Sequence, residues 1–256
     1  VSLGDAPRRS GAASYRPTLL EAAALAQQIG AQEHLTAAAL ANSRGFWSLA
    51  GETDDERIAV LEAAIEVSDK DSADHARLLG ILSVELMFGR EAERRHQLSD
   101  DAIAAARRTG DEKALADVLM ASVPANYVPW RTPVTKVNSD ELIGLANKLG
   151  DRQLWAMANL WRFVAYLVGG DVSTGDPYLV EATRVAEELG EPGLRWLVTE
   201  WRTLRMLMRG DLDEAQALME VGFELGQRSG QPDAFTWYAG QLWVLNRERG
   251  ELGGLL

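Results

Sequence analysis

The dipeptide Trp161-Arg162 recurs forty residues later as Trp201-Arg202, which puts two indoles and two guanidinium groups at matching places in the chain. On a helix, Trp155, Asn159, Arg162 and Tyr166 share one face, and Arg195, Thr199, Arg202 and Met206 repeat it one period on. Earlier positions of similar phase offer Asn42, Phe46, Ser122 and Asn126. Planar cations, amides and aromatic rings in such a stripe suit a carboxylate-bearing peptide tail, a phosphate, or a sugar-like effector stacked on indole. The competing reading makes Trp161 and Trp201 core side chains, with the arginines lying over them towards solvent. A second candidate is the segment Val123-Pro124-Ala125-Asn126-Tyr127-Val128-Pro129-Trp130-Arg131-Thr132-Pro133. Its three prolines predict the end of the preceding helix at 123 and an ordered loop. That loop either rims a binding groove with Tyr127, Trp130 and Arg131 or covers the core with its aromatics.

Groups for catalysis are scarce. His34, His75 and His96 are too few and too scattered for a metal site or a triad. His75 falls where other repeats carry Leu35, Leu115 or Phe235, so a partly packed surface residue is expected there. Adjacent acids such as Glu187-Glu188 and Asp100-Asp101 diverge around a helix instead of flanking a bond, and nothing specific supports hydrolysis by paired carboxylates. With no cysteine there is no disulfide, thiolate nucleophile or cysteine metal site, which fits a reducing compartment. A Gly-x-x-x-x-Gly-Lys-Ser/Thr phosphate loop is also absent. The expectation is a non-catalytic protein with no cofactor and no metal.

The elements that must position these residues are set by glycine. Gly30, Gly110, Gly150, Gly190 and Gly230 each follow an amphipathic stretch, and the missing member of this forty-residue series falls at Lys70. A second series, Gly11, Gly51, Gly89, Gly170, Gly210 and Gly250, runs about half a period out of phase. Glycine past a helix end reaches positive φ without a Cβ clash, so two series mean two helices per repeat. Thr53-Asp54-Asp55-Glu56, Asn138-Ser139-Asp140-Glu141 and Asp211-Leu212-Asp213-Glu214 carry helix-entry signals, and Pro192 and Pro232 stand two residues after a capping glycine. Apolar residues recur at spacings of three and four, as in Leu179, Ala182, Ala186 and Leu189, and no stretch alternates as a strand would. Helices are predicted over 15–29, 31–50, 53–69, 71–88, 92–109, 111–123, 138–149, 151–168, 175–189, 191–208, 212–229 and 231–249.

Small residues at Ala106, Ala146, Ala186 and Gly226 fall one period apart, where close helix approach requires short side chains. Each hairpin leaves an apolar face that the next one buries, which predicts an all-α fold: an α-solenoid of antiparallel hairpins with one continuous core. Residues 1–256 form a single repeat domain on this reading. Both ends look cut within the array, so a fragment of a longer polypeptide is expected.

Composition narrows the partners. The 256 residues are 46% hydrophobic and 25% charged, enough for a folded core, and the net charge of -12 opposes a phosphate backbone. No apolar run approaches the roughly 18 to 20 residues that span a bilayer, and the N-terminal sequence is not a signal peptide. A cytoplasmic protein is expected, with no direct nucleic acid or membrane binding. Its partner would be a protein, a peptide or a small effector in the concave groove, with homo-oligomerisation open.

The hairpins resemble tetratricopeptide repeats of the long, roughly 40-residue type. Gly210-Asp211-Leu212-Asp213-Glu214-Ala215 matches that family's helix–turn–helix junction, and Gly170-Asp171 is a weaker copy. Arg16-Pro17-Thr18-Leu19-Leu20-Glu21-Ala22-Ala23, Ala39-Leu40-Ala41-Asn42-Ser43-Arg44-Gly45-Phe46-Trp47 and Leu160-Trp161-Arg162-Phe163 look like the repeat region of large actinobacterial signalling proteins. Those carry an upstream ATP-binding module joined to a LuxR-type DNA-binding domain or a nucleotide cyclase domain. The resemblance implies a right-handed superhelix whose first helices line the concave surface. It also implies a sensor or interaction arm, since neither the phosphate loop nor a basic recognition helix lies in this chain.

Overall fold

A computed structural model describes residues 15–43 and 51–251. Among them there are twelve α-helices and no strand. The helices are α1 (Tyr15–Gln28), α2 (Gln32–Ala41), α3 (Asp55–Val67), α4 (Ala73–Glu85), α5 (Ala92–Thr109) and α6 (Glu112–Ala125), followed by α7 (Thr132–Leu149), α8 (Arg152–Val168), α9 (Val172–Leu189), α10 (Pro192–Arg209), α11 (Leu212–Arg228) and α12 (Ala234–Arg249). Short 3-10 turns cover Leu86–Phe88 and Pro129–Arg131.

The glycine punctuation is visible in the backbone. Gly30, Gly110, Gly150, Gly190 and Gly230 all sit at φ between 65° and 68°, whereas Gly51, Gly170, Gly210 and Gly250 lie between 74° and 82°. Two members differ. Gly89 has a φ of -74°, and no residue near Lys70 takes a left-handed turn: α3 ends instead on an extended Ser68, whose hydroxyl donates to the Ile65 carbonyl at 3.0 Å. Gly11 lies outside the described residues.

Several predicted boundaries move for identifiable reasons. Pro124 does not end the helix before it but occupies the last turn of α6, which runs to Ala125. The expected loop shrinks accordingly, because Pro129 opens a 3-10 turn and Pro133 sits in the first turn of α7, where a missing N–H is tolerated. Helix α7 therefore begins at Thr132, and Asn138-Ser139-Asp140-Glu141 lies inside it instead of opening it. Helix α9 begins at Val172, three residues before the expected start, and carries Pro177 inside it. Asp54 is the N-cap of α3, accepting from the Arg57 N–H at 3.2 Å.

Each helix with substantial packing has its partners next to it in the chain or one helix further on. Contacts between helices two apart run mainly through the even-numbered set, from α2 through α4 and α6 to α8, and again between α10 and α12. These helices are buried on several sides: every residue from Ala156 to Ala165 of α8 is buried, as is every residue from Trp196 to Trp201 of α10. The odd-numbered helices bury a single stripe, such as Leu179, Ala182, Val185 and Ala186 of α9. Close approach is real at Gly226, where a Cβ would fall 2.6 Å from the Ala234 methyl and 2.8 Å from the Trp196 ring nitrogen.

Candidate functional site

The polar face of α8 lies against α7 and α9. Trp155 donates from Nε1 to Glu181 of α9 at 2.9 Å, and Asn159 donates to the Trp155 carbonyl at 2.9 Å. Arg162 is buried and ties α8 to α7, donating to the Lys136 carbonyl and pairing with Asp140 at 2.9 Å. Its guanidinium also lies 4.9 Å from the ring centre of Tyr166 and 5.9 Å from that of Tyr178, two rings stacked 5.8 Å apart. Lys136 adds its ammonium 4.2 Å over Tyr166. A buried guanidinium is tolerable only when such partners replace water, so Arg162 works here as a clasp between helices.

One repeat later the same positions behave differently. Arg195 pairs with Glu187 at 2.9 Å, and Arg205 forks onto Asp176 at 2.7 and 2.8 Å. The place of Asp140 is taken by Val180, and half-buried Arg202 makes no hydrogen bond or ion pair with the described residues. Trp161 and Trp201 are both buried in the core.

The segment after α6 covers α8. Tyr127 packs against the Trp201 ring with centroids 6.4 Å apart. Asn126 is buried, accepting from Arg131 Nε at 2.8 Å and donating to the Ser99 hydroxyl at 2.9 Å, while Arg131 also pairs with Asp100 at 2.5 Å. Trp130 points outward, 72% exposed. Asn42 belongs to a buried network, accepting from Arg57 at 3.0 Å, and Arg57 pairs with Glu85 at 3.0 Å. Phe46 lies outside the described residues.

Of the predicted stripe, Trp155 borders a cleft. A cleft of about 330 Å³ lies where the end of α7, the start of α8 and the middle of α9 converge. Ala146 and Val185 form its apolar walls, the half-buried Trp155 indole its floor, and Arg152, Glu181 and Arg184 its charged margin. Hydrogen bonds from Arg184 first and Trp155 second pull the Glu181 carboxyl down to about 2, so it is ionised at neutral pH. Asp151 caps α8 by accepting from the Leu154 N–H at 2.9 Å. An indole face flanked by fixed charges of both signs can hold a small planar or sugar-like polar molecule. The cleft has no nucleophile beside a base. Sequence reasoning found Trp155 but missed Arg152, Glu181 and Arg184. The signal was available in the spacing of Glu181, Arg184 and Glu188, three and four apart on one helix face.

The histidines stay apart. His34 is exposed, His75 meets the Ser68 hydroxyl at 2.8 Å, and His96 lies 3.3 Å from Arg95 Nη2. Burial lowers the pKa of both His75 and His96, helped by Lys70 and Arg108 at His75 and by Arg95 and Arg131 at His96. Among the described residues no group of three His, Asp or Glu side chains could hold a metal ion, and no helix is long and apolar enough to cross a membrane. No protein-family model matches the chain, and a search of curated proteins finds no match either. The described residues form an all-helical protein of neighbour-packed helices with a small cleft at Trp155.

Proposed function

We propose that this chain is a non-catalytic repeat arm, a tetratricopeptide-like α-solenoid within a larger transcriptional or signalling regulator, and that it senses a small polar effector. The two forty-residue series of left-handed glycines and the restriction of packing to near neighbours support the repeat reading. The observation that carries the sensing role is the Trp155 cleft. It is bounded by three successive helices, so a molecule seated there touches α7, α8 and α9 at once. Such a ligand favours one spacing of these helices over another and thereby biases whatever module the arm is joined to. Two of the arginines expected to line an inner groove are engaged between helices instead, Arg162 with α7 and Arg195 with α9.

A thermal-shift screen with carboxylates, phosphates and sugars tests this reading. A true effector raises Tm with concentration, as mass action requires, and the effect disappears in Trp155→Ala while helicity is kept. A ligand that stabilises Trp155→Ala equally well removes the cleft from the account. A screen in which none of these classes shifts Tm removes effector sensing and leaves a scaffold or spacer in its place.

A further inference from the structure

The cleft at Trp155 carries polar groups that the fold leaves unspent. Two acids and two arginines line it, so its formal charges cancel. Glu181 and Arg184 consume each other: Arg184 donates to that carboxylate from Nε at 2.9 Å and from Nη2 at 2.7 Å, and Trp155 Nε1 adds a third donor. Asp151 and Arg152 are different. Asp151 spends Oδ1 on the Leu154 N–H at 2.9 Å, and Arg152 spends Nη2 on Glu188. Asp151 Oδ2 and the Nε and Nη1 groups of Arg152 make no hydrogen bond with the described residues. A free carboxylate oxygen and free guanidinium N–H groups thus stand on consecutive residues, in the same cleft as the apolar Ala146 and Val185 and the Trp155 indole.

We propose that this cleft takes a free α-amino acid with an apolar side chain, its carboxylate on Arg152, its ammonium on Asp151 and its side chain against Trp155, Ala146 and Val185. The assignment rests on the cleft being the seat of sensing and names what sits there. Charge decides the class. A phosphate meets the carboxylates of Asp151 and Glu181 with no cation of its own to offset them, and a simple amine meets Arg152 and Arg184 in the same way. A zwitterion gives each unspent group an opposite charge, and hydrogen bonds between such groups are stronger than neutral ones. The volume of about 330 Å³ lies at the small end of ligand sites and admits one molecule of this size.

The probe is L-phenylalanine, titrated calorimetrically into the whole chain beside N-acetyl-L-phenylalanine, which lacks the ammonium, and L-phenylalaninamide, which lacks the carboxylate. Saturable binding of the amino acid is expected, weakened about tenfold or more in each analogue. Arg152→Gln is expected to weaken the amino acid and leave the amide unchanged, and Asp151→Asn to weaken the amino acid and leave the acetylated form unchanged. Asparagine caps a helix as well as aspartate does, and Arg152 holds only a surface pair with Glu188, so both variants keep the fold. Equal binding of the three compounds, or equal binding of the amino acid to both variants, overturns the assignment. Absence of amino-acid binding while a phosphate or a sugar raises Tm through Trp155 also overturns it, and leaves the cleft as an effector seat of another class. Absence of a shift from every class removes the seat itself.

Discussion

Tyr127, on the segment leaving α6, lays its ring 6.4 Å from that of Trp201 in the middle of α10, at an interplanar angle of 59°. Phe163 of α8 meets the same indole edge-on at 6.3 Å, and Trp237 of α12 does so at 5.7 Å. One tryptophan thus joins four successive even-numbered helices or their connections.

Trp201→Ala is expected to lower unfolding free energy by about 3–5 kcal/mol, the usual range for a buried ring. A double-mutant cycle with Tyr127→Ala isolates the ring pair, and a coupling of about 0.5–1.5 kcal/mol in urea titrations is expected. Strict additivity would show that Tyr127 merely covers the site.

Arg162 and Arg202 are equivalent in sequence but not in structure. Arg162→Ala removes hydrogen bonds to α7 and two ring contacts, so a loss of about 1–3 kcal/mol is expected. Arg202→Ala, with no partner to lose among the described residues, is expected to stay within about 0.5 kcal/mol. Equal losses in chemical denaturation would contradict the difference between Asp140 and Val180.

Glu200 is buried where α10, α11 and α12 meet, and donation from Gln241 at 2.7 Å only partly offsets its loss of water. Burial raises its carboxyl from 4.5 to about 7. The folded state therefore holds a proton that the unfolded state releases between these values. Stability falls as pH rises from about 4.5 to about 7 and levels off above that. Glu200→Gln removes this dependence and stabilises the protein at pH 8, as Tm measured across pH would report. An unchanged slope would place the proton elsewhere.

Gly226 and Gly144 separate crowding from helix propensity. Gly226→Ala forces a methyl into contact with Ala234 and Trp196, and a loss of about 1–3 kcal/mol is expected. Gly144, inside α7, has nothing within 4 Å of an added Cβ, so Gly144→Ala is expected to stabilise by about 0.5–1 kcal/mol. Melting curves of the two variants should move in opposite directions.

Much of the helical order was legible because glycine and apolar spacing act locally. Gly150 and Gly190 end helices by reaching positive φ, and Pro192 opens one because its missing N–H is not needed there. Pro124 and Pro133 were misjudged because a proline in the last or first turn of a helix leaves the same sequence trace as one in a loop. The site was less legible. Trp155, Asn159, Arg162 and Tyr166 do share a face, yet spacing cannot say what that face meets.

Residue order alone determined the helical class and the forty-residue glycine period, since both follow from local backbone geometry. Tertiary packing decided that Arg162 is a clasp while Arg202 has no ion pair among the described residues, that Tyr127 packs on Trp201, and that Trp155 borders a cleft with Arg152, Glu181 and Arg184. The physical reason is that a helix face acquires its chemistry from the neighbours that desolvate it. Those neighbours come from other helices, whose approach depends on details as small as an aspartate replaced by valine.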